Sequence, residues 1–442
     1  MLLSLLSLVL ATSVWVLGLV DSVSKPSVAP ALSLEQQELA LLAEPKLPAP
    51  LQSLFGGADP SAALLNSLRQ TPLDRLDDRQ ALLFAAMESD PEHLRTLQRA
   101  APHSDAFPEL QKALIDLGAR NVSADDRARL LSQAPDPLVR RLACEALGGD
   151  PTSCLDPRSA SAAAGRLVIS ELLPLSALLL GGLLLIRHLW LTVNSRLAPW
   201  PALVAPPLGP LDMVLLVAGG FVVLGEVLAP VVVLPVAGLL TRELDAPLSQ
   251  GITVLFGYIA LAVPPLLILR QQLKTPDASP PPSGGWLQWR LKPLGLAVMQ
   301  ALRGWLMVMP PVVVTGWFVS QVIGDQGGSN PLLEIVLTSN SSLALFLLAT
   351  TAVVLAPLFE ETIFRGVLLP VLGRSLGRAG AVIVSAMVFA VAHLSLGELP
   401  PLLVLGLGLG LLRLSTGRLL PCVVMHSLWN GVTFLNLLLL GS

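Results

Sequence analysis

From about Leu167 onward the sequence is a succession of apolar runs, at about residues 167–186, 211–240, 251–269, 294–323, 343–371, 380–396, 399–412 and 419–440. About 20 apolar residues in a helix span the roughly 30 Å of a bilayer's hydrocarbon, so this pattern predicts about eight membrane-spanning helices. The run at 399–412 is short and glycine-rich, which suits a helix buried against its neighbours. Only 13% of the residues are charged, against about 25% in soluble proteins. The net charge of −3 offers no basic surface for nucleic acid.

One further run, "MLLSLLSLVLATSVWVLGLV", occupies residues 1–20. It has no basic n-region and no small-x-small cleavage site before Asp21, so it reads as a retained membrane anchor, with a signal-like segment as the alternative. The polar stretch that follows, 21–166, reads as a small soluble helical domain with short helical patterns at "RQALLFAAMES", "FPELQKALIDLG" and "DRARLLSQA". In "DPLVRRLACEALGG" Asp136 fits an N-cap, Pro137 the first helical position and Gly148 the closing residue. Leu138, Leu142, Cys144 and Leu147 would then share a face. The phrase resembles the second helix of a HEAT-type repeat, a scaffold that binds protein partners, but one copy fits a small irregular helical domain equally.

Basic residues fall in alternate loops: Arg187 and Arg196, then Arg270, Lys274, Arg290 and Lys292, then Arg374 and Arg378, then Arg413 and Arg418. The intervening loops hold only Arg242. The positive-inside rule places the basic loops in the cytoplasm and the 21–166 domain on the opposite face. There Cys144 and Cys154 would be free to form a disulfide, or would remain two idle thiols.

Charged and polar residues near the middle of a span cost roughly 2.5–3.5 kcal/mol each on insertion scales. Three clusters accept that cost. "APLFEETIFRGVLLP" places Glu361 and Arg365 four residues apart, able to pair on one helical face, and leaves Glu360 without a local partner. A carboxylate held in apolar surroundings suits a general base. "FAVAH" sets Phe389 and His393 four apart, and "HSLWN" does the same for His426 and Asn430. At 1.5 Å per helical residue, Glu360, His393, His426 and Asn430 lie roughly 12–20 Å from the basic end of their spans, a depth at which they can converge. A structural ion network tying helices together is the plainer reading of Glu360, Glu361 and Arg365.

A carboxylate, two imidazoles and an amide suffice to hydrolyse a peptide bond. Glu360 would deprotonate water, His393 and His426 would position it or bind a metal, and Asn430 would donate to the oxyanion. A divalent metal such as zinc, held by His393, His426 and Glu360, would keep one position open for that water. No HExxH is present, so the residues leave metal-dependent and glutamate-driven chemistry both open.

In this order on successive helices, Glu360-Glu361-x-x-x-Arg365, Phe389-x-x-x-His393 and His426-x-x-x-Asn430 resemble the CPBP family of CAAX proteases, bacteriocin-processing enzymes and abortive-infection proteins. The resemblance covers about residues 290–440. It implies an all-α intramembrane protease core at 291–442, with residues 167–290 as additional transmembrane helices and linker. It also implies a membrane-associated or lipidated substrate, with Glu361 and Arg365 as the supporting pair. A non-catalytic scaffold or immunity-type protein on the same fold is the competing expectation.

Overall fold

A helix in lipid should turn large apolar side chains outward and keep small or polar ones for its neighbours. The first run does this. In the computed structural model, α1 (Leu2–Ser22) exposes Leu5, Leu6, Val16 and Leu17 while Ser4, Ser7, Ala11 and Ser22 are buried. The structure describes residues 1–25, 27–55, 57, 59–100, 106–116, 122–274, 280–323 and 331–441. Parts of the expected loops at 275–279 and 324–330, and residues 117–118 of one helical pattern, lie outside the described residues.

Eight helices among the described residues are long and apolar enough to span a bilayer. After α1 come α2 (Pro157–Val193), α3 (Pro210–Thr241), α4 (Ala246–Gln272), α5 (Leu294–Val322), α6 (Ser342–Val391), α7 (Leu399–Thr416) and α8 (Leu420–Leu440). The sequence suggested eight runs after the first, one more than these seven, because α6 contains two of them. Gly377, at φ 68° and ψ 178°, breaks its helical geometry between Arg374 and Arg378. Few residues other than glycine tolerate that φ. The two arms of α6 then pack together: Ser385 Oγ donates to the Phe364 carbonyl at 3.1 Å. The rings of Phe364 and Phe389 meet edge to face at 5.5 Å.

The chain forms two units, Pro30–Leu173 and Met1–Ala29 with Pro174–Gly441. In the first, the sequence's capping signals hold. Asp136 Oδ1 accepts the backbone N–H groups of Leu138 and Val139, opening the helix Pro137–Ala146. Gly148, at φ 79°, follows its end. Leu138, Leu142, Cys144 and Leu147 are all buried, and Cys144 is disulfide-bonded to Cys154. Arg79 ties this helix to its neighbours through Asp136 at 2.7 Å and the buried Glu38 at 2.6 Å.

In the second unit, α7 crosses against both α5 and the second arm of α6. A Cβ on Gly406 would lie 3.0 Å from that of Ala386, so glycine is what allows the close approach. Of two cations that the sequence placed in a basic loop, Arg413 lies in the last turn of α7 and Arg418 in the turn before α8, and both are buried. Arg413 Nε donates to the Arg365 carbonyl at 3.1 Å, and Arg418 Nη2 to the Arg290 carbonyl at 2.6 Å. Both guanidinium groups donate to backbone carbonyls of distant segments.

Candidate active site

The first arm of α6 is not a regular helix where it carries its charges. Wider i→i+5 turns at Thr350–Leu355 and Thr362–Leu368 flank Ala356–Glu361. Such bulges concentrate at functional sites. Pro357 explains the consequence of the first. The N–H of Ala356 bonds five residues back to Thr351, and in that register the next donor would serve Ala352. Proline has no N–H. Asn430 Nδ2 on α8 supplies the missing bond, donating to the Ala352 carbonyl at 2.8 Å. The amide is thereby oriented, with its second N–H still free to donate elsewhere.

Glu361 and Arg365 pair as the spacing predicts, with Nη1 to Oε1 at 2.8 Å and both side chains fully buried. Arg365 also donates to the Gly406 carbonyl at 3.1 Å, and its guanidinium lies 4.4 Å from the centre of the Phe389 ring. The same carboxylate oxygen of Glu361 lies 3.0 Å from His426 Nδ1. With Arg365 already paired to that carboxylate, an imidazole proton on Nδ1 can donate to Glu361 and leave Nε2 as the acceptor. That nitrogen faces Glu360, 3.9 Å from Oε2, a gap that one water can bridge with modest adjustment.

Glu360 has a partner that the sequence did not indicate. Tyr258, the chain's single tyrosine, donates from α4 to Glu360 Oε1 at 3.1 Å. Its solitude was the only available signal, and nothing in its surroundings linked it to α6. The other carboxylate oxygen, Oε2, has no hydrogen-bond partner among the described residues.

His393 was expected within a span, but α6 ends at Val391 and His393 stands in the turn beyond. The reason is the backbone: Leu394 has φ 50°, a left-handed conformation costing a non-glycine residue roughly 1–2 kcal/mol. The Phe389 carbonyl accepts from His393 Nδ1 at 2.8 Å, so Nε2 is left as the free ring nitrogen. Phe389 serves as the common surface for both imidazoles, with centroids 4.8 Å from His393 and 5.7 Å from His426.

Glu360, His393, His426 and Asn430 all line one cavity of about 650 Å³, together with Tyr258 and Glu398. That volume lies in the range of small-molecule ligand sites. Among the described residues no three His, Cys, Asp or Glu side chains stand as one group that could hold an ion. His426 bonds Glu361 through Nδ1 and turns Nε2 toward Glu360, which accepts from Tyr258.

Residues 342–432 match the family model described as type II CAAX prenyl endopeptidase Rce1-like. That span runs from the start of α6 to just beyond Asn430, and it agrees with the CPBP resemblance. Residues 29–165 match a family described as a domain of unknown function (DUF8675). No curated protein and no solved structure matches the chain. Together the match and the eight helices make this a multi-pass integral membrane protein with a region similar to type II CAAX prenyl endopeptidases.

Proposed function

We propose, with the Rce1-like match of residues 342–432 as premise, that the protein is an intramembrane endopeptidase. Its substrate would be a membrane-associated or lipidated protein or peptide. The observation that carries this reading is the convergence of Glu360, His393, His426 and Asn430 on one cavity.

The chemistry follows from the atoms presented there. A water between Glu360 Oε2 and His426 Nε2 gives one proton to the carboxylate as its oxygen attacks the peptide carbonyl. His426 Nε2 accepts the remaining O–H and fixes its direction of attack, and His393 lines the same cavity beside it. The spare N–H of Asn430 donates to the oxyanion, where charge develops. Glu360 then returns its proton to the leaving amine, and the carboxylate is regenerated. Tyr258 holds Glu360 by one oxygen so that the other faces the water. Glu361 and Arg365 fix the His426 tautomer and do not react.

The basic loops at 187–196, 270–292, 374–378 and 413–418 are assigned to the cytoplasm, and the 21–166 domain to the opposite compartment. The Cys144–Cys154 bond supports this, since disulfides persist in oxidising compartments. The test of function is a reconstituted preparation challenged with a peptide library, beside Glu360→Ala and His393→Ala. Equal cleavage by all three proteins would dismiss the site.

A further inference from the structure

The turn that carries His393 is strained and lies outside any helix, so something must hold it. Strained backbone persists only where its surroundings over-determine it. The contacts come from α1. Ser22, fully buried at the end of α1, donates its hydroxyl to the Leu19 carbonyl of its own helix at 2.7 Å. Its oxygen accepts the backbone N–H of Leu396 at 3.2 Å. One turn earlier, Gly18 faces Leu394 so closely that a Cβ there would lie 3.0 Å from both methyl groups. Leu394 is the residue with φ 50°, next to His393.

α1 is itself fastened along its length. Trp15 Nε1 donates to Glu226 Oε2 on α3 at 3.1 Å, which gives an intramembrane carboxylate its hydrogen bond. Further along, Ser7 comes near enough to Gly219 that a Cβ there would lie 3.2 Å from the hydroxyl oxygen. Small residues at both contacts let the helices approach as membrane helices do.

We propose that α1 is neither a passive anchor nor a disposable leader, but a positioning element of the active site that latches the 393–398 turn and so sets His393 against the cavity. The catalytic part of this inference rests on the protease reading above; the latch itself does not. Gly18 and Ser22 are positioning residues, since they touch the turn and not the reacting atoms.

The experiment compares the full-length reconstituted protein with Ser22→Ala, Gly18→Leu and the control Ser13→Ala, whose hydroxyl lies on the exposed face of α1. Hydrogen exchange of the 393–398 peptide is read first, with no substrate present. It should quicken in Ser22→Ala and Gly18→Leu and stay unchanged in the control. With a cleavable peptide, kcat should fall by about 10- to 100-fold in the two variants while KM holds, as expected for a misplaced catalytic group. Unchanged exchange in both variants overturns the latch. Faster exchange with wild-type kcat overturns the positioning role. If wild type and Glu360→Ala cleave equally, the protease reading falls and the exchange result alone decides the latch.

Discussion

His426 lies between two glutamates adjacent in sequence: its Nδ1 is 3.0 Å from Glu361 Oε1 and its Nε2 is 3.9 Å from Glu360 Oε2. One carboxylate is paired with Arg365 and the other faces a cavity, so the two glutamates stand in different settings. In the proposed reaction Glu361 orients the imidazole, and Glu360 takes the proton.

Replacing Glu360 by Gln preserves size and removes the base. Peptide hydrolysis should fall by roughly 10²–10⁴-fold, the usual contribution of general base catalysis. Melting temperature should stay near that of wild type. An unaltered biological phenotype in this variant would favour the scaffold or immunity-type alternative instead.

Arg365→Ala should behave differently. It leaves Glu361 buried without its cation, and breaking a buried pair by removing one partner costs about 3–5 kcal/mol. The variant should melt well below Glu360→Gln and give poorer yield in detergent. Equal melting of the two would contradict the supporting role of the pair.

Tyr258→Phe removes one hydroxyl and nothing else. A hydrogen bond to a charged group contributes about 1.5–3 kcal/mol, so kcat should drop by roughly 10- to 150-fold with the fold intact. Wild-type turnover would show that Glu360 needs no help from α4.

In the 30–173 unit, burial first and the neighbouring Glu38 second push Glu35 up from 4.5 to about 7. Arg79 and Arg166 oppose the shift, and Asp136 adds to it. A folded-state value above the unfolded one means Glu35 contributes stability that is complete below pH 4.5 and lost as the pH rises to about 7. Glu35→Gln should flatten the pH dependence of this unit's thermal unfolding across that window. A variant as pH-sensitive as wild type would assign the dependence to another group.

Mass spectrometry without reductant should find Cys144 linked to Cys154, with Cys422, buried in α8, unmodified. Serine at both positions should cost the unit roughly 2–3 kcal/mol for a loop of 10 residues. Two free thiols in protein from native membranes would count against placing this unit in an oxidising compartment.

Local periodicity explains which parts were legible in advance. Glu361 and Arg365 pair because helical geometry brings residues four apart together, and Asp136 caps its helix because the donating N–H groups follow within three residues. Runs of apolar residues reported the spans, but not that a glycine would fold two of them into one broken helix. Residue types left metal-dependent and glutamate-driven chemistry both open, because side-chain orientation is set by second partners that residue types do not reveal. Residue types likewise gave no sign that Arg413 and Arg418 would be buried with their donors on backbone carbonyls of distant segments.

The sequence by itself determined an all-helical membrane protein, its helical accessory unit and the polar residues that its spans carry at a cost. Hydrophobic length and short-range spacing suffice for these, since each is decided within a few turns of chain. Only the tertiary structure decided that Tyr258 meets Glu360, that His426 stands between two carboxylates and that Ser22 holds the backbone of Leu396. Those contacts join residues 102, 65 and 374 positions apart. No spacing rule reaches so far: they arise only when packed helices bring separate faces to one place.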